Sequence, residues 1–219
     1  MEKKSGLIIK RFLIMITSLS LLLVAFYAWS DQSSIDKAIL DQHNYYRSIA
    51  GIPLMTWDKN IAASAQKWAD KLKSSNGCRM EHSSHTYRKN VGGFSYIGEN
   101  LYWAWSSASV SADAAAGKNA VDSWYAEIAY FQYSSKGVVC PRRGKKGAIG
   151  HFTQVMWDKS TSLGCGYAVC GGKSLVIVCQ YGPGGNFNMH ITPPFDAKAA
   201  EKLDKHPVNK KFGGLPRCD

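Results

Sequence analysis

The sequence predicts an α+β layered domain, and three observations carry that prediction. Amphipathic helical stripes fill the first half of the chain, and two strand-like runs joined by a glycine turn follow in the second. Six cysteines lie between positions 78 and 218 of a chain with an export-like start. With 219 residues, 45% of them hydrophobic, there is enough apolar surface for one substantial core and one domain.

The elements follow in order. Lys3, Lys4, Lys10 and Arg11 precede an uncharged run of 17 residues from Phe12 to Ala28, and Ala28-Trp29-Ser30 offers a small-x-small cleavage site. Residues 1–30 therefore read as a secretory signal cut near Ser30, with an uncleaved anchor as the competing reading at the lower edge of spanning length. Ser34 can cap a helix through Ile35, Ile39, His43, Tyr46 and Ala50, stopped by Gly51-Ile52-Pro53. Asp58 can cap a second helix with Ile61, Ala65, Trp68 and Leu72 on one stripe, ended by Asn76-Gly77. From Cys78 to Trp105 periodicity is poor, and irregular chain with short strands is expected. A third helix is expected from Ala112 to Phe131, with Ala120, Trp124 and Ile128 on one side. A loop from Ser134 to Gly147 and a short element at His151 to Trp157 come next. Gly164 to Cys170 and Ser174 to Tyr181 then read as a hairpin turned by Gly171-Gly172-Lys173. Leu175-Val176-Ile177-Val178 is apolar without alternation, as in a strand covered on both faces. Past Pro193-Pro194 the chain is polar and would be loose without a tether at Cys218.

Charge and cysteines narrow the function classes. Removing the first 30 residues, with four cations and one acid, lowers the net charge from +11 to +8. Lys136, Arg142, Arg143, Lys145 and Lys146 concentrate part of it in one loop, which can meet an anionic membrane surface or simply be solvated. Nucleic acid is not an expected partner, because no basic-plus-stacking-aromatic motif is present. The even count of cysteines in an exported chain indicates three disulfides. Six cysteines permit about 15 pairings, and spacing does not choose among them.

Four polar residues escape the apolar patterning: His82, Glu99, Glu127 (three residues after Trp124) and His151. Two imidazoles and two carboxylates form a zinc site or an acid–base site if they converge, and spacing alone does not show convergence. No Gly-x-Ser-x-Gly elbow is present, which sets a serine nucleophile aside.

The segment Gly150-His151-Phe152-Thr153-Gln154-Val155-Met156-Trp157 resembles the first signature of the cysteine-rich secretory, antigen-five and pathogenesis-related (CAP) family. Val176-Ile177-Val178-Cys179-Gln180-Tyr181-Gly182-Pro183-Gly184-Gly185-Asn186-Phe187 resembles the second. His43-Asn44 with Arg47, Leu54-Met55-Thr56-Trp57-Asp58, Gly98-Glu99-Asn100-Leu101 and Leu163-Gly164-Cys165-Gly166 appear in the family's order. The resemblance spans roughly residues 35 to 190 and is nearest the plant pathogenesis-related branch, since no cysteine-rich extension follows. It implies a three-layer α-β-α sandwich with a central antiparallel sheet, and a CAP domain over 31–192 followed by an extension over 193–219. It also implies a cleft lined by His82, Glu99, Glu127 and His151, with the two histidines weakly binding zinc or another divalent metal. The disulfides it implies are Cys78–Cys170 and Cys165–Cys179. Cys140–Cys218 is what remains, a departure from plant relatives that would pin the tail over the basic loop.

Tyr125, Tyr130 and Tyr133 have the spacing of an aromatic motif that the family associates with sterol binding, a spacing that also packs cores. His85 lies near His82 but matches no family position, and His43 fits a core or cleft wall. The expectation is a secreted monomer that binds a sterol or fatty acid in a defence or host–microbe setting and carries a metal-binding cleft. The competing expectation is a metal-dependent hydrolase or peptidase using His82, Glu99, Glu127 and His151. Catalytic zinc generally takes three protein ligands, and the motifs supply two histidines, which favours binding.

Overall fold

The structure, a computed structural model, describes residues 33–133, 139–141, 147–188, 192–215 and 217–218, with only the backbone of 139–141 included. The signal segment and the basic loop's five cations lie outside the described residues. Contacts set Met1–Ser33 apart from Ser34–Asp219, and the second unit is the one described below.

Helix α1 (Ser34–Ala50) buries Ile35, Ile39, His43, Tyr46, Arg47 and Ala50, the stripe expected from its spacing. Two-residue strand β1 (Thr56–Trp57) leads into α2 (Lys59–Asn76). The Asp58 carboxylate caps α2 by accepting from the Asn60 and Ile61 amides, and Gly77 ends it in the left-handed conformation. A small hairpin, β2 (Lys89–Val91) and β3 (Phe94–Tyr96), precedes β4 (Gly98–Trp105). Helix α3 covers Ala114–Tyr125 and gives way to a 3-10 turn over Ala126–Tyr130, then to β5 (Phe131–Tyr133). The expected helix to Phe131 is thus too long at both ends. Asp113 caps it late, and at Phe131 the chain turns extended to pair with β6 (Val139–Pro141). The chain continues through α4 (Gly150–Val155), β7 (Ser162–Cys170), β8 (Ser174–Gly182), α5 (Ala197–Lys205) and α6 (Pro207–Lys210).

The central sheet has strand order β1-β7-β8-β4. Its long pairings, β7 with β8 and β8 with β4, are antiparallel, and only the short β1 pairs parallel with β7. Leu175, Ile177, Cys179 and Tyr181 of β8 face the layer of α1 and α3, while Val176 and Val178 face α2. Burial on both faces explains the unbroken apolar run. Gly164 and Gly166 let the α2 backbone rest on β7: a Cβ at either would sit 2.2 Å from atoms of Ala62 or Gln66. Mixed layers of this kind make an α-β-α sandwich.

Two disulfides form as expected. Cys165–Cys179 bridges directly opposed residues of β7 and β8, and Cys78–Cys170 ties the end of α2 to the end of β7. Cys218 is disulfide-bonded. The Cys140 side chain lies outside the described residues, so the expected third pairing is not described.

The segment after Pro194 is more ordered than its polarity implies. Phe195, Ala199, Ala200, Leu203 and Leu215 are buried, and α5 packs on α1. Asp196 caps α5 through the Ala199 amide. At its end the chain returns to β5, where the Cys218 amide donates to the Tyr133 carbonyl at 3.1 Å.

Candidate functional site

The four patterning exceptions converge on the free edge of β4. His82 follows α2 on an irregular segment, Glu99 stands near the start of β4, Glu127 lies on the 3-10 turn rather than on α3, and His151 opens α4. His82, Glu99, Asn100, Ala148, Gly150, His151 and Asn186 line one open cleft of about 210 Å³.

The site consists of two histidine–glutamate pairs. His82 Nδ1 lies 2.8 Å from Glu99 Oε1, and His151 Nδ1 lies 2.7 Å from Glu127 Oε1. A carboxylate only accepts, so each ring donates through Nδ1, and the neutral ring keeps its lone pair on Nε2. In both pairs the carboxylate is occupied elsewhere as well. Glu99 also accepts from the Ser83 amide (2.9 Å), the Ser83 hydroxyl (2.6 Å) and Gln180 Nε2 (2.9 Å). Glu127 Oε2 accepts from the amides of His151 (2.9 Å) and Phe152 (3.2 Å) at the start of α4. Burial pushes the Glu99 carboxyl up, but the hydrogen bonds from His82, Ser83 and Gln180 outweigh it and hold the pKa below the ordinary value.

Residues beneath the cleft fix its floor. Asn100 Nδ2 donates to the His151 carbonyl and to the Tyr181 hydroxyl, each at 3.1 Å. Tyr181 in turn lies 3.0 Å from Nε2 of the buried His43, whose Nδ1 faces the Ile39 carbonyl at 2.8 Å. His43 is therefore a core residue, with its pKa lowered to about 3. Burial is the main cause, opposed by the Ile39 carbonyl and aided by the Arg47 charge. Asn186, at positive φ, donates to the Gly150 carbonyl and accepts from Thr153, which secures the first turn of α4. Trp124 lies under His151 with ring centres 6.3 Å apart.

Sequence reasoning did not single out Ser83, Asn100, Gln180 or Asn186. For Gln180 a signal was present: one polar side chain inside an otherwise apolar doubly covered strand. His85 stacks on Tyr96 and does not line the cleft. Two of the three tyrosines of the aromatic motif are packed inside. Tyr125 is fully buried, stacked on Tyr46 at 3.6 Å, and donates its hydroxyl to Asn209 Oδ1; Tyr133 is buried too. Only Tyr130 keeps a partly exposed ring, set against Gly147.

For a metal, the donor set is two Nε2 atoms. Among the described residues, no group of three or more His, Cys, Asp or Glu is placed to hold an ion. By its chemistry such a donor set would suit a loosely held, partly hydrated ion and not a closed structural centre.

The model of the Cysteine-rich secretory protein family, CAP, matches residues 40–181, from within α1 to the end of β8. The chain belongs to the CAP family. This CAP protein is 36% identical to Pathogenesis-related protein 1 of Arabidopsis thaliana over 145 residues, covering 66% of this chain and 74% of the relative. It is 33% identical to GLIPR1-like protein 1 of Homo sapiens over 178 residues, 76% of this chain. Against that human relative it spans 64% of the length, less than two thirds. Its fold is similar to the crystal structure of NaASP2 with Zn2+, at a TM-score of 0.56 and 25% identity, covering 85% of this chain and 96% of the other.

Proposed function

We propose that this CAP protein is a secreted binding protein whose cleft takes a divalent metal ion, zinc by preference, on Nε2 of His82 and Nε2 of His151. The observation that carries the reading is the pair of carboxylate-held Nδ1 atoms: each ring is oriented and kept in the tautomer that leaves Nε2 free to ligate. Imidazole nitrogens suit zinc, and a two-nitrogen set leaves positions for water or an incoming ligand. The similar NaASP2 structure with Zn2+ adds support by analogy. Secretion is supported by the disulfides, which belong to an oxidising compartment. The similarity to a pathogenesis-related protein supports a defence setting.

The hydrolase reading needs a carboxylate at liberty to act as base or third ligand. Glu99 and Glu127 are both committed to holding the histidines, which favours binding over turnover. When bound, the metal would supply Lewis acidity to an incoming donor. The protein's own residues orient the rings and fix the wall of the cleft.

Zinc titration by calorimetry on the mature protein tests this directly. Binding in the wild type that disappears in His82→Ala and in His151→Ala is expected. Equal binding in all three proteins would remove the cleft from consideration. Peptide cleavage abolished both by His82→Ala and by chelation would replace binding with hydrolysis.

A sterol or fatty acid is a second ligand class. Tyr130 supports it, because its half-buried ring borders Gly147, where the cationic segment ends. Sterol-dependent stabilisation lost in Tyr130→Ala is the expected result, and no shift in melting with any sterol or fatty acid would dismiss it.

A further inference from the structure

Trp103 and Trp105 are 44% and 59% exposed, on one face of a strand whose first half is buried. They stand about 7 Å apart along the strand. Among the described residues, strand order puts β4 at the sheet's edge. Ladder alternation fixes which backbone groups face outward. Ser106 donates to the Lys173 carbonyl on the inner side, whereas the Leu101 carbonyl accepts from Trp124 on the outer side. The odd-numbered residues therefore aim their amides and carbonyls at the open edge, and beyond Leu101 these are Trp103 and Trp105.

The surroundings select what can lie there. Trp103 and Trp105 oppose Val176 and Ser174, on the face where α2 covers β7 and β8. Residues 78–82 cross that face from Cys170, bonded to Cys78, to Glu99, bonded to His82. The tryptophans thus form a shelf at the foot of a step one helix tall, about 10 Å. A flat bilayer resting on α2 is held off by that step, and an extended chain is not. Two cations mark the far end. Lys173 precedes Ser174, which pairs with both Trp105 and Cys170, and Arg79 follows Cys78 of the disulfide to Cys170.

We propose that the open edge of β4 at Trp103 and Trp105 is a docking site for an extended acidic peptide segment. The segment adds as a strand, stacks its side chains on the two indoles and places its acidic groups near Arg79 and Lys173. Backbone pairing supplies the affinity of such an addition, and the indoles and cations supply its selectivity. The site is independent of any metal in the cleft.

The test is amide NMR of the 15N-labelled mature protein with the peptide acetyl-Glu-Thr-Val-Thr-Val-Glu-amide. The Trp103 and Trp105 amides are expected to shift on titration. Binding should weaken about tenfold with a peptide N-methylated at alternate amides, and by a similar factor in the double variant Arg79→Glu Lys173→Glu. Trp103→Ala Trp105→Ala, whose fold the same spectra check, should lose the interaction. Unmoved amides, or an N-methylated peptide binding equally well, overturn the proposal. It is equally overturned if phosphatidylglycerol vesicles or polygalacturonate move those amides and the peptide does not.

Discussion

The two halves of the cleft use the same pair of residue types and anchor them in different ways. On one side Glu99 projects from a β-strand into a fully enclosed position and satisfies three groups besides His82, while His82 itself is half exposed on irregular chain. On the other side Glu127 is partly open, and its second oxygen closes the start of a helix whose first residues include its partner, His151. In the first half the carboxylate is fixed and the imidazole depends on it. In the second the imidazole is also held by its helix and by Trp124 beneath it. The lesson is that Glu99 is the more consequential glutamate for stability, and Glu127 the more replaceable.

Glu99→Ala breaks that comparison most severely. It strands the Gln180 amide and both Ser83 donors in the interior, and a loss of about 3 kcal/mol in denaturant unfolding is expected. Glu127→Ala frees helix amides that water can reach, so about 1 kcal/mol is expected in the same assay. Comparable losses from the two variants would show that the halves are equivalent.

Acid titration sharpens the comparison through the groups behind the cleft. Buried His43 has a folded pKa of about 3 against an ordinary 6.5. Its contribution is therefore complete above 6.5 and is lost as pH falls from 6.5 toward 3, with the slope of one proton. Glu99 has a depressed pKa, so its contribution is complete above the ordinary carboxylate value and is lost as pH falls from there through the folded value, within the lower part of the His43 window. A decline that starts near pH 6.5 and steepens once the carboxylate range is reached is expected, and a His43→Gln variant should lack the part above that range. The tail gives an effect no larger than that of Glu127→Ala: Tyr125→Phe leaves Asn209 Oδ1 without its donor and should cost about 1 kcal/mol in thermal or chemical unfolding.

Where the sequence was readable and where it was not follows from burial. The stripes of α1 and α2, their stops, and the β7–β8 hairpin were legible because each hydrophobic period matched a single covered face or, for β8, two. Strand β4 was not, because its pattern is inverted: Glu99 and Asn100 are buried while Trp103 and Trp105 are exposed. A polar site and an open shelf on one strand override the usual inside–outside code. The tail helix α5 hid behind its lysines, although Asp196 and the alanines supplied a cap and a buried stripe. The motifs named all four cleft residues, but their pairing did not follow from spacing. It depends on a 3-10 turn after α3 that brings Glu127 to the first turn of α4, and on a segment after α2 that returns His82 to β4.

Both histidines present a bare Nε2 to one cleft because a glutamate holds each Nδ1. Long-range 1H–15N NMR of the imidazoles, at mildly alkaline pH with and without zinc, tests it most directly. The Nδ1–H tautomer is expected for both His82 and His151, with zinc perturbing Nε2 of each ring. A proton on Nε2 of either ring, or zinc perturbing neither, would contradict it.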